Sequence, residues 1–257
     1  MATKCTVIAF DIYGTLLSYE SISSELEIHF DRDKSRLIAQ LWRRYQLEYT
    51  WRLVTMGSNI PAPDAFLRLT ETGCYQSFRE VTKNALVHAL GDTESRLKTD
   101  EIDRLLRAYD SLATFHDVEP ALERIAQIPN VAPVIFSNGT AEMLDNSIAR
   151  SVVLSRHRSV FQDVITVDDI RKFKPAREVY EYLAQRVGKG PTELSDIWLV
   201  SGNPFDVIGA LEVGLKAIWV DRARAGWKDQ AMPSLQPTAV VHQLEEVAGV
   251  VQGQATA

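Results

Sequence analysis

The feature that most constrains this chain is an alternation. Five short apolar runs read as buried strands: Thr6–Phe10, Ala132–Phe136, Val164–Val167, Ile197–Val200 and Ala217–Val220. Between these runs lie segments of helical character at Pro120–Ile128, Ala141–Arg150, Pro175–Val187 and Pro204–Val213. A continuous apolar run suits a strand covered on both faces, and helices between such strands serve as crossovers. The spacing therefore predicts βαβ units and an α/β fold with a doubly wound, Rossmann-like parallel sheet. Pro120, Pro175 and Pro204 stand where first helical turns are expected, and there a missing N–H costs nothing. Gly188 and Gly214 stand where C-terminal caps belong.

Residues from about 18 to 115 break the alternation. Leu41, Trp42, Tyr45, Tyr49 and Leu53 recur at helical spacing, as do Val81, Ala85, Leu86 and Leu90. The stretch Asn59-Ile60-Pro61-Ala62-Pro63 reads as a loop between helices. The pattern predicts a helical domain, 18–115, inserted into an α/β core domain formed by 1–17 and 116–257. A chain of 257 residues is long enough for both.

Charge and cysteine usage narrow the function. A net charge of −6 gives no basic surface for nucleic acid or for a membrane. Two cysteines make no disulfide framework, and no zinc-type spacing occurs. Cys5, just before an apolar run, is expected to be buried. No long apolar stretch follows Met1-Ala2-Thr3-Lys4, so no signal peptide is expected and the cytoplasm is the expected compartment. The tail from Gly253 is expected to fray. Histidines at 29, 88, 116, 157 and 242 are scattered, and nothing resembles a Ser/His/Asp hydrolase.

In open parallel sheets, ligands bind beyond the carboxyl ends of the strands. Here those ends carry Asp11 to Thr15, Ser137-Asn138-Gly139, and Ser201 to Asp206, with Lys174-Pro175 following the third run and opening a helix. Each has a bland alternative. Asp11 could cap a turn, Ser137-Asn138 or Asn203 could cap a helix, and Asp206 could offset a helix dipole. Lys174 could lie in solvent, and Arg43 and Arg44 could belong to a solvated helix face. Taken together, a carboxylate beside a lysine and serine or asparagine groups is poised as a nucleophile or base. An extended backbone before Pro175 can send Lys174 across the sheet end toward Asp11.

Five motifs occur in order: Asp11-x-Tyr13-Gly14-Thr15, Leu41-Trp42-Arg43-x-x-Gln46-Leu47-Glu48-Tyr49-Thr50-Trp51, Ser137-Asn138-Gly139, Lys174-Pro175-x-x-x-Val179-Tyr180 and Ser201-x-Asn203-x-x-Asp206. From Thr6 to about Val220 the chain resembles the L-2-haloacid dehalogenases of the haloacid dehalogenase superfamily. The resemblance implies hydrolysis of short L-2-haloacids to 2-hydroxy acids, with inversion, through an ester on Asp11. It implies that Thr15 and Lys174 position that carboxylate, Ser137 holds the substrate carboxylate, and Arg43 and Asn138 receive the halide. Tyr180 would hydrogen-bond within the site, while Ser201, Asn203 and Asp206 orient Lys174 and water. Tyr13, Leu47, Phe78 and Phe205 would line an apolar pocket. No metal and no cofactor are implied, the partners being the 2-haloacid and the halide, and a homodimer is compatible. Phe205 stands where the family usually has tryptophan and Arg44 where it has glutamine, which bears on substrate range. Two other readings are a superfamily phosphatase acting on a small phosphomonoester and a non-catalytic small-anion-binding protein. The phosphatases carry a second aspartate where Tyr13 stands, and a lost nucleophile would favour the binding protein.

Overall fold

The computed structural model describes residues 5–57 and 75–253. Six parallel strands form one sheet in the order β3-β2-β1-β4-β5-β6. They are β1 Thr6–Phe10, β2 Val131–Ser137, β3 Asp163–Thr166, β4 Ile197–Ser201, β5 Lys216–Val220 and β6 Ala239–Val241. Every residue of β1 from Val7 to Phe10 is buried, as expected of a central strand covered on both faces. The chain winds outward in opposite directions from β1, so the crevice of this sheet opens at the carboxyl end of that strand.

The core helices are α5 Val118–Ile125, α6 Ala141–Arg150, α7 Val152–Arg156, α8 Arg177–Arg186, α9 Pro204–Glu212 and α10 Val247–Val251. Pro204 opens its helix as expected. Pro120 instead occupies the third position of α5, and Pro175 precedes α8, joined to Lys174 by a cis peptide. Gly188 and Gly214 follow their helices with φ of +69° and +96°, a region glycine enters without a Cβ clash. Val167 lies beyond β3, in a 3-10 turn whose start is capped by Thr166. Cys5 is exposed because the sheet begins one residue later, so the thiol sits outside the covered part of β1.

Among the described residues, four helices stand between β1 and α5: α1 Glu20–Leu26, α2 Arg32–Gly57, α3 Phe78–Asp92 and α4 Thr99–Tyr109. At 26 residues, α2 is about 39 Å long. It buries Ile38, Trp42, Tyr45 and Gln46 against α3, whose own buried stripe is Phe78, Val81, Thr82, Ala85, Leu86 and Ala89. Helical neighbours three and four apart share a face, so each stripe faces the other. The Trp42 indole donates to the Thr82 carbonyl at 2.7 Å, fixing how the pair meets. A Ser77–Glu80 capping box sets the start of α3.

The stretch that carries these four helices leaves and rejoins the sheet side by side. Leu17 bridges Thr114, Ser18 N–H donates to Ala113, and Phe115 N–H donates to Leu16. The loop at Asn59–Pro63, Cys74 and the tail from 254 lie outside the described residues. Among the described residues no helix is long and apolar enough to cross a membrane.

Candidate active site

Asp11 directly follows β1, and its N–H still donates to Val200 of β4, so the strand's own pairing fixes its backbone. The chain then turns sharply through Gly14 at φ +85°. That turn brings Thr15 back over Asp11, where its hydroxyl donates to Oδ2 at 2.8 Å. The same Thr15 oxygen accepts the Gly202 N–H at 2.9 Å, joining the turns after β1 and β4. These turns touch so closely that a Cβ at Gly202 would lie 2.5 Å from the Gly14 carbonyl oxygen.

Lys174 reaches across the sheet end as its position implied. Its Nζ lies 3.2 Å from Asp11 Oδ1, 2.8 Å from Asp206 Oδ2 and 2.8 Å from the Phe136 carbonyl, with only 1% of the side chain exposed. Burial alone would depress such a lysine, but Asp11 and Asp206 together hold its pKa above the ordinary lysine value. Burial raises Asp206 above the usual aspartate value, against the opposing pull of Lys174 and Tyr180. Tyr180 donates to Asp206 Oδ1 at 2.8 Å. Asp206 is therefore a buried member of the site rather than a dipole-compensating surface acid.

Asn203 occupies the N-cap position of α9 without capping it; its side chain turns into the site instead. The amide nitrogen donates to Asp11 Oδ2 at 2.8 Å and to the Tyr13 carbonyl at 3.0 Å. Its oxygen accepts from Arg43 Nη2 at 2.9 Å, so the long insert helix reaches the nucleophile region. Ser201 was expected to orient Lys174; its hydroxyl instead accepts the Asn203 N–H at 3.1 Å, and so bears on Asn203.

Ser137 and Asn138 do not cap α6, since Thr140 does. Ser137 Oγ accepts the Gly139 N–H at 3.0 Å. Asn138 Oδ1 accepts the Lys174 N–H at 2.9 Å, which supports the lysine backbone. No hydrogen bond joins Asn138 to Arg43 among the described residues, so the two proposed halide receivers are not brought together directly.

Among the pocket residues, the Tyr13 ring lies between Phe78 at 5.7 Å and Tyr109 at 5.4 Å. Burial pushes its phenol far above the ordinary value, so it stays neutral. Phe205 is half-buried and meets Trp51 of α2 edge-on at 5.6 Å. Leu47 is half-buried, outside the main apolar core. Arg44 points away, 56% exposed and paired with Glu48.

The sequence reading missed three residues around Arg43. Its Nη1 donates to Gln46 Oε1 at 2.8 Å, its guanidinium lies 4.5 Å from the Tyr19 ring centroid, and Tyr109 donates to the same Gln46 oxygen at 3.1 Å. Gln46 sits one turn from Arg43 in the quoted motif, so helical spacing could have found it; Tyr19 and Tyr109 carried no local signal. Arg222 was missed too. It pairs with buried Asp117 through two 2.9 Å contacts and donates to the Thr15 carbonyl.

The arrangement suits nucleophilic attack by Asp11. Thr15 and Asn203 both occupy Oδ2, whereas Oδ1 accepts only from Lys174 among the described residues. Oδ1 is the less encumbered oxygen. The place between Asp11 and Asp206 is filled by the lysine ammonium, and the general-acid position holds a neutral, buried Tyr13. That donor set does not fit a divalent cation, which takes several carboxylate and carbonyl oxygens. A separate trio, Glu119, Glu123 and His157, holds ligand atoms within 4.8 Å of one another, but Arg156 already pairs with Glu119.

Comparison with known proteins bears on this geometry. Residues 5–214 match the haloacid dehalogenase-like hydrolase family model. The chain is 31% identical over 219 residues to haloacetate dehalogenase H-2 of Moraxella sp. (strain B), covering 85% of this chain and 87% of that one. It is 30% identical over 250 residues to the (S)-2-haloacid dehalogenase of Pseudomonas sp. (strain YL), covering 94% and 95%. The structure of L-2-haloacid dehalogenase from Xanthobacter autotrophicus with chloropropionic acid covalently bound superimposes with a TM-score of 0.79 at 25% identity, covering 98% and 100%.

Proposed function

The chain belongs to the haloacid dehalogenase-like hydrolases, and from that membership we propose that it hydrolyses the carbon–halogen bond of short L-2-haloacids, giving 2-hydroxy acids with inversion. The observation that carries this reading is the Asp11 carboxylate, held by Thr15, Lys174 and Asn203 with Oδ1 left the more open. Related enzymes bearing the 2-haloacid dehalogenase name, and one with chloropropionic acid covalently bound, support it.

Oδ1 attacks the α-carbon, the carbon–halogen bond breaks, and the halide leaves with the bonding pair toward Arg43. The guanidinium can receive the halide because it is permanently charged, weakly hydrated and rich in N–H donors. Water then attacks the ester carbonyl carbon of Asp11, releasing the 2-hydroxy acid and regenerating the carboxylate. Asp206 is the base for that water, since a carboxyl with a raised pKa binds protons more readily near neutrality. Ser137 holds the substrate carboxylate, and Tyr13, Leu47, Phe78 and Phe205 bound the space around its carbon chain. The helical insert, residues 18–115, acts as a cap that keeps bulk water from the nucleophile. A homodimer belongs to the same reading, supported by exposed Leu37, Trp51, Met56 and Val87 on α2 and α3. So does a cytoplasmic location, supported by a chain with only two cysteines.

The test is halide release from (S)-2-chloropropionate, run beside phosphate release from p-nitrophenyl phosphate, each with and without exhaustive EDTA. Metal-independent halide release is the expected result. Magnesium-dependent phosphate release with no halide release would replace this reading with a phosphatase.

A further inference from the structure

Arg43 is held on three sides, two by residues of the quoted motifs and the third by Tyr19 outside them. One side is Asn203, on the core. The second is Gln46, fully buried, whose oxygen takes Nη1 at 2.8 Å. The Gln46 amide cannot turn over freely: its nitrogen donates to Thr82 Oγ1 at 2.7 Å, and Thr82 in turn donates to the Phe78 carbonyl at 2.7 Å. Tyr109 donates to the Gln46 oxygen, so that oxygen must face Arg43 and Tyr109. The third side is the flat face of Tyr19, at 4.5 Å. Tyr19 is itself wedged against the Gly14 turn, where a Cβ on the glycine would lie 3.1 Å from the tyrosine ring. The part of Tyr19 that meets the guanidinium is its ring face.

We propose that Gln46 and Tyr19 are positioning residues that set the Arg43 guanidinium against Asn203, the residue that also holds Asp11, and thereby fix the anion-receiving end of the site. Gln46 fixes the in-plane orientation of the fork, and Tyr19 fixes its height above the Gly14 turn. Neither touches the substrate; both act through Arg43. The claim rests on the dehalogenase reading for its kinetic form but not for its structural form, since anion binding at Arg43 is measurable without turnover.

The experiment compares wild type with Gln46→Met, Gln46→Glu, Tyr19→Leu and Tyr19→Phe, using inhibition of halide release by added bromide and the anomalous signal of bromide in soaked crystals. Gln46→Met keeps the volume and loses the acceptor, whereas Gln46→Glu places a competing carboxylate against the guanidinium. Gln46→Met should weaken bromide inhibition by roughly tenfold, the size of losing a hydrogen bond to a charged group, and Gln46→Glu should weaken it at least as much because its carboxylate offsets the guanidinium charge. Tyr19→Leu should weaken it by about three- to thirtyfold, as expected for a lost cation–π contact. Tyr19→Phe keeps the ring and should retain bromide inhibition. A merely structural role would lower the active fraction and leave the bromide constant unchanged, and that result overturns the proposal. If Tyr19→Leu fails to fold, the two Gln46 variants decide. Wild-type crystals with no bromide at Arg43 also overturn it. Bromide at Arg43 in a protein that turns over no 2-haloacid would leave the positioning claim standing and sink the dehalogenase reading.

Discussion

Replacing Lys174 with methionine removes a charge and little volume, and should abolish turnover while destabilising the fold in a pH-dependent way. Nζ stands between two carboxylates, 3.2 Å from Asp11 and 2.8 Å from Asp206, and the lysine and Asp206 side chains are each 1% exposed. Without it, two acids face each other across a buried space. Removing one member of a buried ion pair costs about 3–5 kcal/mol, a large share of the roughly 5–15 kcal/mol that holds a domain folded. The remaining repulsion raises the pKa of one carboxyl in the folded variant above its unfolded value. A carboxyl shifted in that direction favours the folded state at low pH, and the benefit is lost as pH rises through the folded pKa. Each pH unit between the two pKa values changes stability by about 1.4 kcal/mol. The deficit seen at neutral pH should therefore shrink by up to about 2.7 kcal/mol when the pH falls by about two units toward the unfolded aspartate value. Urea unfolding followed by tryptophan fluorescence at both pH values measures it, and the double variant Lys174→Met/Asp206→Asn should lose most of the pH dependence. An equal deficit at both pH values, or one below about 1 kcal/mol, would show that the ammonium is not holding two buried charges apart.

Three further outcomes are expected. Arg43→Lys should lose most activity, because a point charge cannot replace a fork that engages Gln46 and Asn203 together; Arg44→Gln should be mild, since Arg44 is largely exposed, and comparable losses in steady-state kinetics would contradict the assignment. A single turnover in heavy-oxygen water should give unlabelled 2-hydroxy acid and a heavier Asp11 peptide by mass spectrometry, because the product oxygen comes from the carboxylate; label in the first product would instead mean direct attack by water. Gly202→Ala should destabilise by about 1–3 kcal/mol and lower activity, because the new methyl meets the Gly14 carbonyl and forces apart the turns that Thr15 joins; thermal melts showing no change would mean the turns have room to relax.

The parts of the fold that the sequence made plain are those in which one physical demand acts along a whole segment. Thr6–Phe10 is covered on both faces and reads as an uninterrupted apolar run, so its limits coincide with β1. Ala141–Arg150 likewise matches α6, fixed by its apolar spacing and by Thr140 at its start. β6 escaped because three residues with one exposed valine are too short to show a period, and that strand exists through its pairing with β5. Pro120 and Pro175 misled for another reason. Proline is permitted at the first helical position but not confined to it, and at Pro175 the chain is instead held by the Lys174 N–H bond to Asn138.

Within the site, what was legible divides by how each residue is held. Asp11, Lys174, Asn203 and Asp206 sit at strand ends or just past them, where the topology of a parallel sheet must bring them together, so position along the chain already implied proximity. Arg43 has no such guarantee. On a 26-residue helix, a lone arginine is indistinguishable from the solvated face, and only the way the insert packs decides that this guanidinium, not Arg44 beside it, meets Asn203. The residues that hold Arg43 were less visible still. Tyr19 and Tyr109 lie 90 positions apart and come together only after the helical insert has folded back. A buried polar group must find its partners, and Gln46 finds three: Arg43, Thr82 and Tyr109. A polar residue inside the apolar stripe of an insert helix is therefore the sequence signal that was available and that points to the reacting end of the site. It required weighing Gln46 as an anomaly in the Trp42–Tyr45–Tyr49 stripe rather than as one more letter of a motif.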